Sequence, residues 1–264
     1  MIIRLRGPFE NVLMLTPVVR EMKLRGLEVN IETEYREIFY GSPYVDCVDV
    51  FIMGDEVIDL TNLQLDGRHL IEQYAEAVLG DSRLSSWSVE MFCGHESGYL
   101  VKEIGDGKPV LACAFGNRLT KANQVEMERF VELMEMDYSV FVLGEHPVEA
   151  AKVSMCWRDL DFVYDMIRCS DLFFGLDCIE SFVAMATKTP MVVAGSMRDW
   201  NRWHPFRRGI PFESVDGKCE RRLECWDENV VIEHGTLQFV DCEDFVCGKS
   251  HCAEHWKEVV DGLG

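Results

Sequence analysis

Short apolar runs and longer stripes of helical period alternate along this chain. Ile2-Ile3-Arg4-Leu5 reads as a strand and Gly7-Pro8 as a turn; from Asn11 to Arg25 apolar residues then fall at Val12, Leu15, Val19 and Met22, the spacing of an amphipathic helix. Only Pro17 interrupts that stripe. A proline removes an amide donor and crowds the preceding turn, so Pro17 is expected near a first turn or at a bend. Gly26 ends the helix and Val29 to Thr33 is the next strand. Two further short apolar runs, Val48 to Phe51 and Val57 to Leu60, precede HLIEQYAEAVLG, a well-patterned helix closed by Gly80.

The alternation then begins again. Strands are expected at Pro109 to Ala114, Val140 to Leu143, Asp171 to Phe174 and Met191 to Ala194, and helices at Asn123 to Met136, Leu160 to Arg168 and Cys178 to Thr187. Strands alternating with helices of this length imply parallel sheets with helices on both faces. The stretch KEIGDGKP, residues 102 to 109, is rich in glycine and charge and divides the two series. The expected fold class is therefore α/β, with two Rossmann-like, doubly wound domains, 1–105 and 106–264, facing a cleft. Open sheets of this kind bind ligands at the carboxyl ends of their strands. Chemistry is expected in the loops after Leu5, Ala114, Leu143, Phe174 and Ala194.

With 264 residues, 48% of them hydrophobic, the chain can bury a large core without covalent staples. Its formal charge of −20 argues against a surface that seeks nucleic acid or anionic membrane in general, because such partners need broad positive potential. Any anion must be met locally. The stretch RDWNRWHPFRRG, residues 198 to 209, carries four arginines against one aspartate, and it follows the last predicted strand. MIIRLRGPFENVL lacks the apolar core of a signal peptide, and nowhere do about 18 apolar residues run together, so no membrane insertion is expected and the cytoplasm is the expected location. Eleven cysteines without an export signal fit reduced thiols better than a disulfide framework.

Taken in order, several of these loops resemble the heptosyltransferase family of glycosyltransferases, of the ADP-heptose:lipopolysaccharide type. RLRGPFENVLMLTPVVREMK is similar to that family's first strand, turn and helix containing Thr-Pro; YGSPYVDCVDVF to its Asn-Pro-x-Val-Asp segment; VIDL with RHLIEQYAEAVLG to the next strand and helix. FGNRLTK resembles the loop with a phosphate-binding lysine, FVLGEHPVEAA the strand, glycine and glutamate after it, and GLDCIESFVAMATKTPMVVAG has the family's spacing from an aspartate to a proline before the last strand. The resemblance implies the GT-B fold, a nucleotide-sugar as donor substrate, inverting transfer to an acceptor hydroxyl, and no required cofactor or divalent ion. Two positions depart from the pattern. Where the family carries Gly-Asp, its aspartate being taken as the base, this chain has Glu10 and Asn11, and an amide does not accept a proton at neutral pH. Where the family carries Asp-Ser/Thr-Gly-Pro-x-His, this chain reads Asp177-Cys178-Ile179-Glu180-Ser181-Phe182.

Sugar transfer needs positive groups or helix N-termini for the diphosphate, polar partners for ribose and base, and a base near the acceptor. Glu10 and Asn11 are the candidates for the catalytic position. Arg118, Lys121, Glu145, Asp177, Cys178, Glu180 and Ser181 are the candidates for the donor, Arg118 and Lys121 for its phosphates and Glu180 for ribose hydroxyls. Asp177 and Glu180 also suit a helix N-terminus with no ligand at all. Arg4, Arg6, His69, Arg198, Trp200, Arg202 and Trp203 are the candidates for acceptor or phosphate binding, since tryptophan and arginine together suit stacking on rings and pairing with phosphate. Arg4 and Arg6 flank the first strand, one of them expected beside Glu10, and two arginines there would weaken Glu10 as a base. His69 equally suits a helix cap. Cys219, Cys225, Cys242, Cys247 and Cys252 have spacings that permit zinc without indicating it, and no metal site is expected.

Two rivals share this reading of the fold: transfer to a hydroxylated pyrimidine in DNA, and a nucleotide-sugar-binding protein that has lost the base. An epimerase or dehydrogenase is poorly supported, because the first strand lacks a Gly-x-Gly-x-x-Gly turn.

Overall fold

The computed structural model describes residues 1–54, 56–64, 68–92, 101, 103, 105–115, 121–144, 148–149, 151, 153–156, 159–175, 178–193, 212–214, 230–233, 236–239, 257–258 and 260–262. A parallel four-stranded sheet holds β1 (Ile2–Arg4), β2 (Asn30–Glu32), β3 (Cys47–Asp49) and β4 (Val57–Asp59) in the order β3-β2-β1-β4. A parallel six-stranded sheet follows with the order β10-β9-β8-β5-β6-β7, built from β5 (Val110–Ala114), β6 (Ser139–Gly144), β7 (Val153–Cys156), β8 (Leu172–Gly175), β9 (Met191–Val193) and β10 (Phe212–Ser214). The mixed α/β class with parallel sheets agrees with the periodicity. One antiparallel hairpin, β11 (Val230–Glu233) with β12 (Thr236–Phe239), stands apart from it.

The helix expected from Asn11 to Arg25 is two helices, α1 (Phe9–Leu13) and α2 (Thr16–Leu24). Pro17 is the cause. It has no N–H to give the carbonyl of Leu13, and the Thr16 hydroxyl donates to that carbonyl instead, at 2.9 Å. Proline in a first turn costs nothing, since an amide there has no helical partner anyway. Gly26, in the left-handed region at φ 77°, ends α2, and Gly80, at φ 70°, ends α3 (Leu70–Leu79). The strand expected over Val48 to Phe51 stops at Asp49, leaving Phe51 exposed.

The second sheet shows why its strands read as unbroken apolar runs: both faces are covered. Leu111, Cys113, Val140, Val142, Phe174 and Val192 pack on one face with Met127, Phe130 and Met134 of α4 (Lys121–Met134), where Val260 also returns. Ala112, Ala114, Phe141, Phe173 and Val193 join the opposite cluster with α5 (Leu160–Arg168) and α6 (Ile179–Thr187). That cluster is continuous with the core of the first sheet, including Ile3, Phe9, Leu13 and Ile31, and α1 packs against α6.

Candidate functional site

The chain leaves β1 at Arg4, turns through Gly7 and Pro8, and enters α1 with Glu10 in its first turn and nearly buried. The backbone N–H of Asn11 donates to the Pro8 carbonyl at 3.0 Å. Its side-chain Oδ1 is buried and, among the described residues, accepts no hydrogen bond. A buried amide oxygen left this way is costly, on the order of 1–3 kcal/mol, unless a donor from elsewhere reaches it.

Both arginines meet the carboxylate of Glu32, where the sequence put one of them beside Glu10. Register explains the change: Arg4 lies directly opposite Glu32 on the neighbouring parallel strand. Arg4 donates through Nε to Oε1 at 2.8 Å and through Nη2 to Oε2 at 3.2 Å; Arg6 Nη2 donates to Oε1 at 2.9 Å, and the Ile52 N–H to Oε2 at 3.3 Å. The Glu32 side chain is fully buried, and Asp59 lies 3.7 Å from Arg4. The hydrogen bond from Arg4, opposed by burial and aided by Ile52 and Arg6, holds the Glu32 carboxyl below its ordinary range. Two arginines thus stand against two carboxylates, and the group is neutral.

Tyr35, three residues beyond β2, is a residue the motif reading passed over. Its N–H donates to Thr33 Oγ1 at 3.3 Å, its carbonyl accepts from the Ile38 N–H, and its ring stands edge-on to Phe9, centroids 5.6 Å apart. Partial burial first, and then the charges of Glu10, Glu34 and Glu37, push its phenol up. The signal that could have found it is its place at the carboxyl end of β2, where an open sheet collects ligands.

On the other side, β5 and β8 end together, Ala114 opposite Gly175, and α6 starts just beyond. Ser181 is fully buried and Glu180 nearly so. The Cys178 thiol lies 3.7 Å from the Ala114 carbonyl and 3.6 Å from Ser181 Oγ. Burial, reinforced by the nearby Glu180 charge, pushes that thiol well up, which disfavours the thiolate. Gly175 is a close approach: a Cβ there would stand 2.6 Å from the Phe173 ring and 2.7 Å from Ser181 Oγ. The first turn of α6 carries the amides that a helix start offers to a phosphate, of which the Ser181 N–H donates to the Cys178 carbonyl at 3.3 Å. Because α1 packs against α6, the helix of Glu10 and Asn11 lies beside that of Glu180 and Ser181.

His69 is built in as a cap: its Nδ1 accepts from the Ile71 N–H at 3.2 Å, and its ring lies against Trp87. Lys121 opens α4. Arg118, Glu145, Asp177, Arg198, Trp200, Arg202, Trp203 and the cysteines from Cys219 to Cys252 lie outside the described residues. Among those described, Cys47, Cys113, Cys169 and Cys178 are free, no three His, Cys, Asp or Glu gather as metal ligands would, and no helix is long and apolar enough to cross a membrane.

No protein-family model matches the chain, and no curated protein matches it in sequence. Solved structures do match. A family 9 glycosyl transferase from Veillonella parvula is similar over 99% of this chain and 96% of its own, with a TM-score of 0.71 and 10% identity. This is a glycosyltransferase fold. Heptosyltransferase II of E. coli, which acts with ADP-heptose and lipopolysaccharide, is similar over 100% of this chain and 98% of its own (TM-score 0.64, 12% identity). TibC from enterotoxigenic E. coli H10407, a dodecameric iron-containing glycosyltransferase, is similar over 99% and 75% (TM-score 0.62, 15% identity). The glycosyltransferase fold agrees with the resemblance carried by the loop motifs. At these identities it is the fold that is shared.

Proposed function

We propose that the protein is a glycosyltransferase that moves a sugar from a nucleotide-sugar to an acceptor hydroxyl with inversion. Residues 1–105 form the acceptor half and residues 106–264 the donor half of a GT-B cleft. The observation that carries this is the pairing of α1 with α6 at the ends of two parallel sheets, in a fold shared along its whole length with glycosyltransferases.

In this reading the amides at the start of α6, with Arg118 and Lys121, take the diphosphate, and the Arg198 to Arg208 stretch with Trp200 and Trp203 adds charge and ring faces. Glu180 and Ser181, with Asp177 and Glu145, serve the ribose and base. Glu10 accepts the proton as the acceptor oxygen attacks the anomeric carbon, and the bond to the diphosphate breaks on the opposite side. The negative charge left on the diphosphate meets donors already in place, which is where most of the rate enhancement of such a step arises. Asn11 orients and does not deprotonate.

TibC has been seen with ADP-D-β-D-heptose, so ADP-sugars come first in the test. Thermal unfolding is followed against nucleoside diphosphates and nucleotide-sugars, with NAD as control; a ligand of the folded state at a hundredfold excess over its dissociation constant adds roughly 2.7 kcal/mol. A selective shift with one nucleotide class is expected. Glu10→Gln should keep that shift and lower transfer by about 10²–10⁴-fold, the usual share of a general base. No shift with any nucleotide refutes the donor site.

A further inference from the structure

The last residues of the four strands of the first sheet form a row of charge. Asp49 of β3, Glu32 of β2, Arg4 of β1 and Asp59 of β4 stand in register with their neighbours across the sheet. Arg36 stands 3.5 Å from Asp49, and Arg6 reaches Glu32 from just beyond β1. Three carboxylates thus face three arginines, but the two kinds of group are engaged differently. Each carboxylate also takes a backbone amide: Glu32 that of Ile52 at 3.3 Å, Asp49 that of Val50 at 2.7 Å and Asp59 that of Thr61 at 2.9 Å. A guanidinium carries five N–H donors. One of those on Arg6 bonds Glu32, while its Nε and Nη1 meet no partner among the described residues. Donors are therefore in excess at this end of the sheet, and an acceptor is what they lack.

The row is polarised as well. The Glu32 side chain is fully buried, whereas that of Arg6 is 49% exposed. With Glu32 inside, the exposed part of the row sets Arg4, Arg6 and Arg36 against Asp49 and Asp59, one net positive charge in a chain whose formal charge is −20. Arg4 Nε and Arg6 Nη2 both bond Oε1 of Glu32, at 2.8 and 2.9 Å, which holds two like charges side by side. They repel one another, and the buried carboxylate keeps them together. Solvation alone requires no such fixing. A guanidinium already held in place loses little freedom when it bonds the oxygens of a phosphate or carboxylate. The pair also stands where an open parallel sheet collects ligands, at the carboxyl ends of its strands.

We propose that Arg6, with Arg4 beside it, forms a subsite for an oxyanion, a phosphate or carboxylate carried by the acceptor, and that Glu32 is the positioning residue that holds both cations for it. This rests on the glycosyltransferase reading above and deepens it, since it gives the acceptor half a charge preference. Arg6 is the specificity-determining residue. It and Glu10 flank the Gly7-Pro8 turn between β1 and α1, and four residues of chain keep their Cα atoms within about 14 Å. An acceptor anchored by its anion on one side of that turn brings a hydroxyl to the carboxylate on the other.

The test is an array of immobilised glycans that presents each sugar in neutral, uronic and phosphorylated form, read with the whole protein, without nucleotide and with ADP. At least one anionic form is expected to bind about tenfold tighter than its neutral counterpart, and whether it is the uronic or the phosphorylated one names the group. Salt should shrink that preference. Arg6→Ala should abolish it while keeping a cooperative melt and any nucleotide shift; Arg6→Lys, which keeps the charge and loses the planar fork, should retain part of it. Glu32→Gln separates position from charge. It makes the row more positive, so attraction by charge alone would tighten anion binding, whereas loss of positioning weakens it. With the bound glycan as acceptor, Arg6→Ala should raise KM about tenfold and leave kcat within a few-fold, the signature of lost ground-state binding. Neutral and anionic forms bound alike overturn the proposal, as do a preference that survives Arg6→Ala and an array that stays empty. Tighter anion binding by Glu32→Gln removes Glu32 from it. A wild type that no nucleotide shifts strikes the glycosyltransferase reading, while the dependence of anion binding on Arg6 is read on the array without nucleotide.

Discussion

Gly175 ends β8 at the turn that leads into α6, and Gly175→Ala is the smallest change that tests how tightly the turn is built. The added carbon would stand 2.6 and 2.7 Å from two atoms of the Phe173 ring and 2.7 Å from Ser181 Oγ. Real contacts of this kind lie near 3.5–4.0 Å, so the neighbours must move by about an ångström. Neither has room: Phe173 and Ser181 are both fully buried. Overpacking of this kind costs about 1–3 kcal/mol. With roughly 2–4 °C lost per kcal/mol in a chain of this size, the variant should melt about 2–12 °C below the wild type. Urea unfolding with an unchanged m-value places the loss in stability and not in the compactness of either state. Phe173→Leu, destabilising alone by leaving a cavity, should be less so in combination with Gly175→Ala, because the added methyl then occupies part of that space. If Gly175→Ala melts with the wild type, the close packing of β8 on α6 is wrong, and the placement of Ser181 at that turn fails with it.

Glu32→Gln tests the clamp on Arg4 and Arg6. It removes the charge from a fully buried side chain that accepts four hydrogen bonds, and since both arginines reach water the loss should be about 2 kcal/mol, in the range for bonds to charged groups. Because the folded carboxyl is held below the ordinary carboxylate value of about 4.3, this stability is present above that value and is lost as pH falls through the lower folded value. Wild type and variant should therefore differ by a constant amount from pH 7 to about 5 and converge in stronger acid; a difference that grows in acid would contradict the clamp. Brief alkylation of the folded protein, mapped by mass spectrometry, should label the exposed Cys47 and spare the buried Cys113 and Cys178, whose thiols burial keeps protonated. Rapid labelling of Cys178 would show that the α6 turn opens.

Much of the fold was legible because its periodicity is carried by core residues. Leu160 to Arg168 was read to the residue, since Asp159 caps that helix and its apolar stripe is buried whole. β7 was not legible: Val153-Ser154-Met155-Cys156 is short, lies at an edge and lacks a run of branched residues. The β11–β12 hairpin was not read from the sequence, since its two segments show only weak alternation on either side of His234-Gly235. The break at Pro17 was visible, but its outcome depended on the Thr16 hydroxyl reaching Leu13. Glu10, Asn11, Glu180 and Ser181 were picked as candidates from loop position and residue type, and the fold sets them on two helices in contact. The partner of Arg4 could not be picked in this way, because Glu32 is 28 residues away and only strand register brings the two together. Tyr35 escaped for a related reason: it stands in no motif and is defined by Phe9, Glu10 and Glu37 around it.

The apolar seam where α1 lies on α6 bears on how the proposed cleft would open and shut. Swinging the two sheets apart like a book would bring Phe9, Leu13, Phe182 and Val183, all sealed from solvent, into water. At about 25 cal/mol for each square ångström of apolar surface uncovered, even a partial gape of a few hundred square ångströms costs several kcal/mol. Helices gliding along one another keep their contacts and avoid that cost, so any relative motion of the two sheets is cheaper by shear than by a hinge. For the proposed transferase, the side chains of two short helices at that seam would then help to set the rate of turnover.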